Sequence, residues 1–248
     1  MTVTPQVRRR GGDRALGLTA AATSLGALVL ALAVAPPDAV QGQAQRLMYV
    51  HVPAAWLAYV CFAIVLVASV GYLLTRDLRW DRRAQAAGEL GVGMTALAIV
   101  LGSLWGRPVW GTWWVWDPRL VTTVVLLLVY AGYLSVRGLG DDRATGARRA
   151  AAIGIVGFVN VPVVHFSVLW WRTLHQPASV LSPDPAPMDA RMAAALLSAV
   201  LAFSLAGWLV LRRRTRQLEA LDVPLESIAA VPEPTSGGPL LVTARSRP

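Results

Sequence analysis

The sequence predicts an all-α integral membrane protein with six transmembrane helices and both termini in the cytoplasm. Three observations support this prediction. Of the 248 residues, 55% are hydrophobic and only 15% are charged, whereas charged residues make up about 25% of an average soluble domain. The hydrophobic residues occur in long runs of the length that a helix needs to cross a bilayer. The basic residues flank these runs, and their density alternates from one flank to the next.

Six hydrophobic runs are long enough to form transmembrane helices, which need about 20 largely apolar residues. We place these helices at approximately 16–35, 53–74, 87–105, 120–136, 151–171 and 191–211. The first run follows an arginine-rich start and ends in a small-residue stretch, as a cleaved signal peptide also does. Its apolar part, about 20 residues long, exceeds the usual signal core. We therefore interpret it as a retained helix.

All 23 basic residues are arginine, and their distribution predicts the orientation. Eighteen lie in the two terminal segments and in the segments that follow the second and fourth helices, and five lie elsewhere. Cytoplasmic segments carry the excess of positive charge, so segments 36–52, 106–119 and 172–190 face outward. The arginines form clusters beside apolar runs rather than a stripe along one face, so we predict a protein of the lipid bilayer that binds no nucleic acid.

These helices divide the chain into three parts. Residues 1–15 form a cytoplasmic N-terminal extension, and residues 16–211 form a membrane domain with an external tryptophan-rich segment at 106–120. Residues 212–248 form a cytoplasmic tail. The tail is rich in Pro, Ser and Gly with few aromatic residues, a composition that buries too little surface to fold alone. We predict that the tail is disordered.

The residue types exclude several classes of function. The chain has no lysine, so it contains neither the Walker lysine that binds nucleotide phosphates nor a lysine for a Schiff base with pyridoxal phosphate. Its one cysteine, Cys61, lies in a hydrophobic run, and the chain therefore has no CxxC or CxxCH motif. It is neither a dithiol oxidoreductase nor a covalently haemylated c-type cytochrome. We predict no catalytic residue and no enzymatic activity for this chain alone.

The external segment contains four tryptophans within seven residues: Trp110, Trp113, Trp114 and Trp116. One interpretation is an aromatic belt at the level of the lipid headgroups. A belt marks both faces of a membrane, whereas eight of the ten tryptophans fall near the predicted outer side. The other interpretation is a platform for a flat, conjugated ligand, because indole rings offer large stacking faces. If the segment is briefly helical, Trp110, Trp113 and Trp114 share a face.

Two charged residues follow the tryptophans. Pro118 disfavours helical backbone at Asp117, so we expect the chain to turn there. Arg119 is then placed to pair with a carboxylate on a ligand, and Asp117 to hold Arg119 or an indole N–H in position. A simple ion pair between Asp117 and Arg119 at the membrane surface explains the same spacing.

The chain has three histidines. His51 begins the second predicted helix and His175 follows the fifth, so both lie at the outer membrane surface. Neutral imidazole is a good axial ligand for haem iron, and two ligands from separate helix ends would bind a porphyrin from opposite faces. Two surface histidines with ordinary hydrogen bonds remain an alternative. His165 lies deeper, beyond Pro162, which we expect to kink its helix. For His165 we favour an interhelical hydrogen bond over the alternative, ligation of haem.

Three motifs resemble one known family. Residues 110–120, WGTWWVWDPRL, are similar to the tryptophan-rich "WWD" signature of the haem-handling proteins of cytochrome c biogenesis. Residues 51–56, HVPAAW, and 170–176, WWRTLHQ, resemble the histidine motifs of the haem exporter protein C (CcmC) family. The similarity covers approximately residues 45–211 in the expected order and on the expected side.

The resemblance implies a haem-binding protein that works at the outer face of the plasma (inner) membrane. It implies that haem b is bound transiently and non-covalently, with His51 and His175 as axial ligands of the iron. It also implies that the tryptophan segment carries the porphyrin and receives the haem chaperone CcmE. The implied partners are an ABC-type ATPase and a second membrane subunit (CcmA and CcmB) and a small membrane subunit, CcmD.

Two other classes fit parts of the sequence. A haem permease subunit of an ABC-type exporter would need polar groups through the membrane, and the predicted helices contain few beyond Glu89, Asn160 and His165. A membrane b-type cytochrome would need paired histidines at bilayer depth, where only His165 lies. The larger haem lyases of the same superfamily have more helices and an external domain, for which 248 residues are too few.

Overall fold

The structure, a computed structural model, describes residues 5–139, 142–175 and 188–222. Among these residues the regular structure is helical. The helices are α1 (Pro5–Val29, continued by a π-helical turn at Leu30–Val34), α2 (Met48–Thr75), α3 (Leu78–Trp110), α4 (Pro118–Ser135), α5 (Arg143–Phe158), α6 (Asn160–Trp170) and α7 (Ala190–Leu221). Within the described part of the chain, six segments are long and apolar enough to cross a membrane, with α5 and α6 forming one of them. The predicted all-α fold with six transmembrane helices is confirmed.

The helix pair α2 and α3 forms the centre of the bundle. These two helices make the most extensive contact, α5 and α7 pack against α2, and α1 packs along α7. Aromatic rings fill the core where glycines let the helices approach. A Cβ at Gly91 would lie 2.6 Å from Phe62, and one at Gly88 would lie 2.6 Å from Tyr133. Phe62 in turn stacks on Tyr130 with 3.8 Å between ring centroids.

The fifth membrane segment is interrupted between α5 and α6, at Val159. Pro162 has no N–H to donate to the carbonyl of Phe158, so the regular helical hydrogen bond is missing there. The Asn160 amide donates instead to the carbonyl oxygen of Thr122 on α4, at 2.8 Å. The interruption therefore lies where Pro162 predicts it, and the adjacent amide ties it to α4.

The arginine-rich ends of the helices are longer than the hydrophobic runs indicate. Helix α7 continues to Leu221, so residues 212–221, which the sequence assigned to the tail, are helical. Acidic residues of the same ends pair with the arginines. The pairs are Asp81 with Arg137, Glu89 with Arg214, Asp222 with Arg82 and Arg143, and Asp13 with Arg212 and Arg216. The rest of the predicted tail, from residue 223, lies outside the described residues.

Candidate functional site

A cavity opens at the end of the bundle where α2 and α4 begin and α3 ends. The cavity has a volume of about 120 Å³ and is partly open to solvent. Small and apolar residues form most of the wall. Five of the residues singled out in the sequence line the cavity: His51, Trp110, Trp114, Arg119 and His175.

His51 lies in the first turn of α2 and faces α3. Its Nδ1 atom lies 2.9 Å from the carbonyl oxygen of Ala98 on α3. A carbonyl only accepts hydrogen bonds, so Nδ1 carries the proton and donates it. In the neutral ring Nε2 is then the nitrogen with a free lone pair. This arrangement resembles that of metal-ligating histidines, whose second nitrogen commonly donates to a backbone carbonyl.

His175 reaches the same cavity from the segment after α6. Its ring centroid lies 6.4 Å from that of His51 and 6.4 Å from that of Trp110. Helix α6 ends at Trp170, and the Thr173 hydroxyl donates to the His175 carbonyl oxygen at 3.1 Å. The chain thus turns back over the cavity within five residues of the end of the helix.

The separation of the two imidazole rings is compatible with one metal ion between them. If one nitrogen of each ring binds a metal at about 2 Å from opposite sides, the ring centres lie about 6 Å apart. The observed 6.4 Å matches that spacing. The surrounding wall is largely apolar and includes indole rings, which suits a metal carried in a flat, conjugated macrocycle. The residues present therefore fit haem.

The tryptophan segment folds back over the last turn of α3. Gly111 has a left-handed backbone, φ 75°, which ends α3 at Trp110 because glycine adopts this conformation without strain. The Ser103 hydroxyl then donates to the Trp113 carbonyl oxygen at 2.6 Å. Residues 111–117 are non-helical, so the condition for a helical face shared by Trp110, Trp113 and Trp114 is not met.

The four tryptophans of this segment divide into two groups. Trp110 and Trp114 line the cavity. Trp113 and Trp116 point away from it and are 55% and 80% exposed. The segment therefore presents two indole rings to the cavity and two to the surroundings.

The two charged residues that follow do not pair with each other. Asp117 is the N-cap of α4, and its carboxylate accepts from the backbone N–H of Leu120 at 2.9 Å. The Arg119 guanidinium lines the cavity and donates to the carbonyl oxygen of His165 at 3.3 Å. The role expected for Asp117, holding Arg119 or an indole N–H, is replaced by helix capping, because Pro118 places Asp117 at the cap position.

His165 does not line the cavity, and neither does Arg172, the arginine of the WWRTLHQ motif. The His165 ring makes edge contacts with Tyr59 and Phe166, at centroid distances of 6.3 and 4.9 Å. In the described part of the chain these aromatic contacts replace the expected interhelical hydrogen bond of its side chain. Arg172 is exposed.

Sequence reasoning did not assign Trp105 or the GxxxG glycines, Gly102 and Gly106, to the site. The Trp105 ring meets His51 edge-on at 5.8 Å, and its indole N–H donates to Gln41 at 2.9 Å. Gly102 and Gly106 lie directly behind His51 and Trp110. A GxxxG spacing indicates that another group packs closely against the helix, usually a second helix backbone. Here the groups that pack against the glycines are aromatic side chains, which the spacing does not predict.

The fold and the site define a polytopic membrane protein with a two-histidine, tryptophan-walled cavity at one end. The family model of heme exporter protein C matches residues 11–222. The chain belongs to the heme exporter protein C family, whose members handle haem.

Individual relatives agree with this assignment. The chain is 40% identical over 199 residues to heme exporter protein C of Bradyrhizobium diazoefficiens, covering 77% of this chain and 76% of that protein. It is 41% identical over 154 residues to heme exporter protein C of Escherichia coli strain K12, covering 61% and 63%. It is 39% identical over 155 residues to a putative cytochrome c biosynthesis ccmC-like mitochondrial protein of Marchantia polymorpha, covering 62% and 65%. The last two matches span just under two thirds of each relative.

Proposed function

We propose that this chain binds haem b non-covalently in the two-histidine cavity and delivers it to a haem chaperone during cytochrome c maturation. His51 and His175 are the axial ligands of the iron. Trp110 and Trp114 pack against the porphyrin, and Arg119 binds a propionate.

The placement of the two imidazole rings carries this proposal. They come from chain segments more than 120 residues apart in sequence, yet their centroids lie 6.4 Å apart at one cavity. The Ala98 carbonyl holds His51 in the tautomer that offers Nε2. Family membership supports haem as the ligand.

The arginine distribution supports the orientation that the proposal needs. Eighteen of 23 arginines flank the ends opposite the cavity or lie in the termini. By the positive-inside rule those ends are cytoplasmic, so the cavity faces the extracytoplasmic side of the plasma (inner) membrane. Haem is then presented where the chaperone CcmE can receive it. CcmA, CcmB and CcmD are the remaining proposed partners, with the ATPase motif on a separate chain.

The haem content and absorption spectrum of purified variants test the ligand assignment. His51→Ala and His175→Ala each remove one axial ligand. Because even loss of a group that only orients a metal ligand weakens binding about 10–100-fold, we expect each variant to bind haem at least tenfold more weakly and the double variant to bind none specifically. His165→Ala is the matched control, since this histidine lies outside the cavity, and it should bind haem as the wild type does. Full haem with an unchanged bis-histidine spectrum in the double variant would refute the assignment.

A further inference from the structure

Two glycines one helical turn apart form the back wall of the cavity on α3. A Cβ added at Gly102 would lie 3.0 Å from Cε1 and 3.4 Å from Nδ1 of His51. A Cβ added at Gly106 would lie 3.0 Å from Cε3 of Trp110. At 3.0 Å a neighbouring ring must shift by a few tenths of an ångström to make room.

The His51 ring has little freedom to make such a shift. Its Nδ1 is bonded to the carbonyl of Ala98, which lies one turn before Gly102 on the same helix. The edge of Trp105 contacts the ring from another side, at 5.8 Å between centroids. The ring therefore lies between a hydrogen-bond acceptor, an indole ring and the bare Cα of Gly102. Moving it away from α3 lengthens the bond to Ala98.

We propose that Gly102 is a positioning residue, whose missing side chain makes the space that holds the His51 imidazole in its iron-binding position. Gly106 does the same for Trp110. The inference rests on the proposed function, because positioning matters only if His51 is a ligand. Binding sites require their groups to be held within about 0.5 Å of the productive geometry, so a displacement of a few tenths of an ångström uses most of that tolerance.

Substitutions of graded size at Gly102 test this inference in the purified full-length protein. Gly102→Ala should weaken haem binding by about fivefold or more, since the added carbon overpacks the space behind the His51 ring. Gly102→Val should weaken binding further and shift the spectrum away from that of the wild type. Gly93→Ala is the matched control: it lies on the same helix, gains the same helix propensity, and its added Cβ meets no atom within 4 Å.

The set of variants separates two possible failures. If His51→Ala keeps its haem unchanged, the proposed ligand is wrong. If His51→Ala loses haem while Gly102→Val binds it with wild-type affinity and spectrum, the ligand stands and the positioning role is refuted.

Thermal unfolding of the haem-free protein tests the contact between Gly102 and His51 without relying on haem binding. Gly102→Ala should lower the midpoint in the wild-type background and lower it less in the His51→Ala background, where the contacted ring is gone. If Gly102→Ala lowers the midpoint equally in the two backgrounds, or prevents accumulation in both, the destabilisation does not come from the His51 ring. Either result would overturn the contact with His51.

Discussion

The imidazole rings of His51 and His175 are each oriented by a contact with α3. His51 donates to the Ala98 carbonyl, and His175 packs edge-on against Trp110. Both contacts involve the C-terminal half of α3, although the two histidines come from different parts of the chain. At the scale of single residues, α3 is therefore the support on which the proposed ligands are assembled.

The exposed tryptophans carry the proposed contact with the chaperone. Trp113 and Trp116 lie outside the cavity wall and are 55% and 80% exposed. Buried tryptophans at protein interfaces are often worth 2 kcal/mol or more, about 30-fold in affinity. We expect the double variant Trp113→Ala/Trp116→Ala to bind haem normally but to pass it to purified chaperone at least tenfold more slowly.

Trp208→Ala serves as the control for this assay. Trp208 is 51% exposed but lies on α7, away from the cavity, so its loss should leave transfer unchanged. Normal transfer by the Trp113→Ala/Trp116→Ala variant would show that these two rings face lipid rather than the chaperone.

The sequence shows that tryptophans are concentrated at 110–116, but it does not show which of them line the cavity and which are exposed. The four tryptophans at 110–116 look equivalent in the sequence. Trp110 reaches the cavity from the last turn of α3. The left-handed Gly111 then changes the chain direction, and Trp114 reaches the cavity only after this turn. Likewise, no local pattern shows that His51 contacts Gly102, because the contact joins two helices.

The start of α4 depends on a single capping residue. Asp117 accepts from Leu120 N at 2.9 Å, and Pro118 occupies the first helical turn, where its missing N–H costs nothing. Removing a capping side chain costs roughly 1 kcal/mol. Asp117→Ala should therefore lower the thermal unfolding midpoint of the purified protein by a few degrees, and it should loosen Arg119 two residues later.

Asp117→Asn distinguishes capping from charge. The amide oxygen of asparagine accepts the same hydrogen bond, so this variant should unfold near the wild-type temperature. If Asp117→Asn destabilised the protein as much as Asp117→Ala does, the negative charge rather than the cap would be the contribution of this residue.

The helices were predictable in number and position but not at their ends. The six hydrophobic runs coincide with the six membrane segments, and Pro162 marks the interruption between α5 and α6. The arginine-rich extensions of the helices were missed because clustered arginines outside an apolar run indicate a flanking segment rather than a helix. Ion pairs hold these extensions to other parts of the bundle. On α3, for example, Asp81 is 3% exposed and pairs with Arg137, which follows α4. Such ion pairs depend on how the helices pack together, and the hydropathy of the sequence does not predict that packing.

At the scale of the whole molecule, the cavity and the ion pairs occupy opposite ends of the bundle. The cavity lies where α2 and α4 begin, and the acidic–arginine pairs join the other ends of α3, α5 and α7. One end is therefore aromatic with few charges, and the other is strongly basic. By the positive-inside rule, this asymmetry predicts that the basic end faces the cytoplasm and the cavity end faces outward.

Cysteine labelling in intact cells tests that direction. The native Cys61 is buried, 1% exposed, and Cys61→Ala gives a cysteine-free background. Val40, 93% exposed beside the cavity end, and Leu139, 61% exposed at the opposite end, are suitable single sites. We expect a membrane-impermeant maleimide to label Val40→Cys in intact cells and Leu139→Cys only after permeabilisation. The reverse pattern would place the histidines in the cytoplasm.

The fold class followed from composition because lipid as a solvent demands helices of one length. The arrangement of these helices did not, since every helix is similarly apolar and the choice of neighbours depends on glycine and aromatic contacts such as Gly91 with Phe62. The cavity arises from that arrangement, between α2, α3 and α4.

The electron paramagnetic resonance spectrum of the ferric haem-loaded protein is the sharpest test of His51 and His175 as iron ligands. Two imidazoles on one iron give a low-spin signal. We therefore expect a low-spin signal for the wild type and for His165→Ala. We expect a high-spin signal, or no bound haem, for both His51→Ala and His175→Ala. An unchanged low-spin signal in either of these two variants would contradict the assignment of that histidine as a ligand.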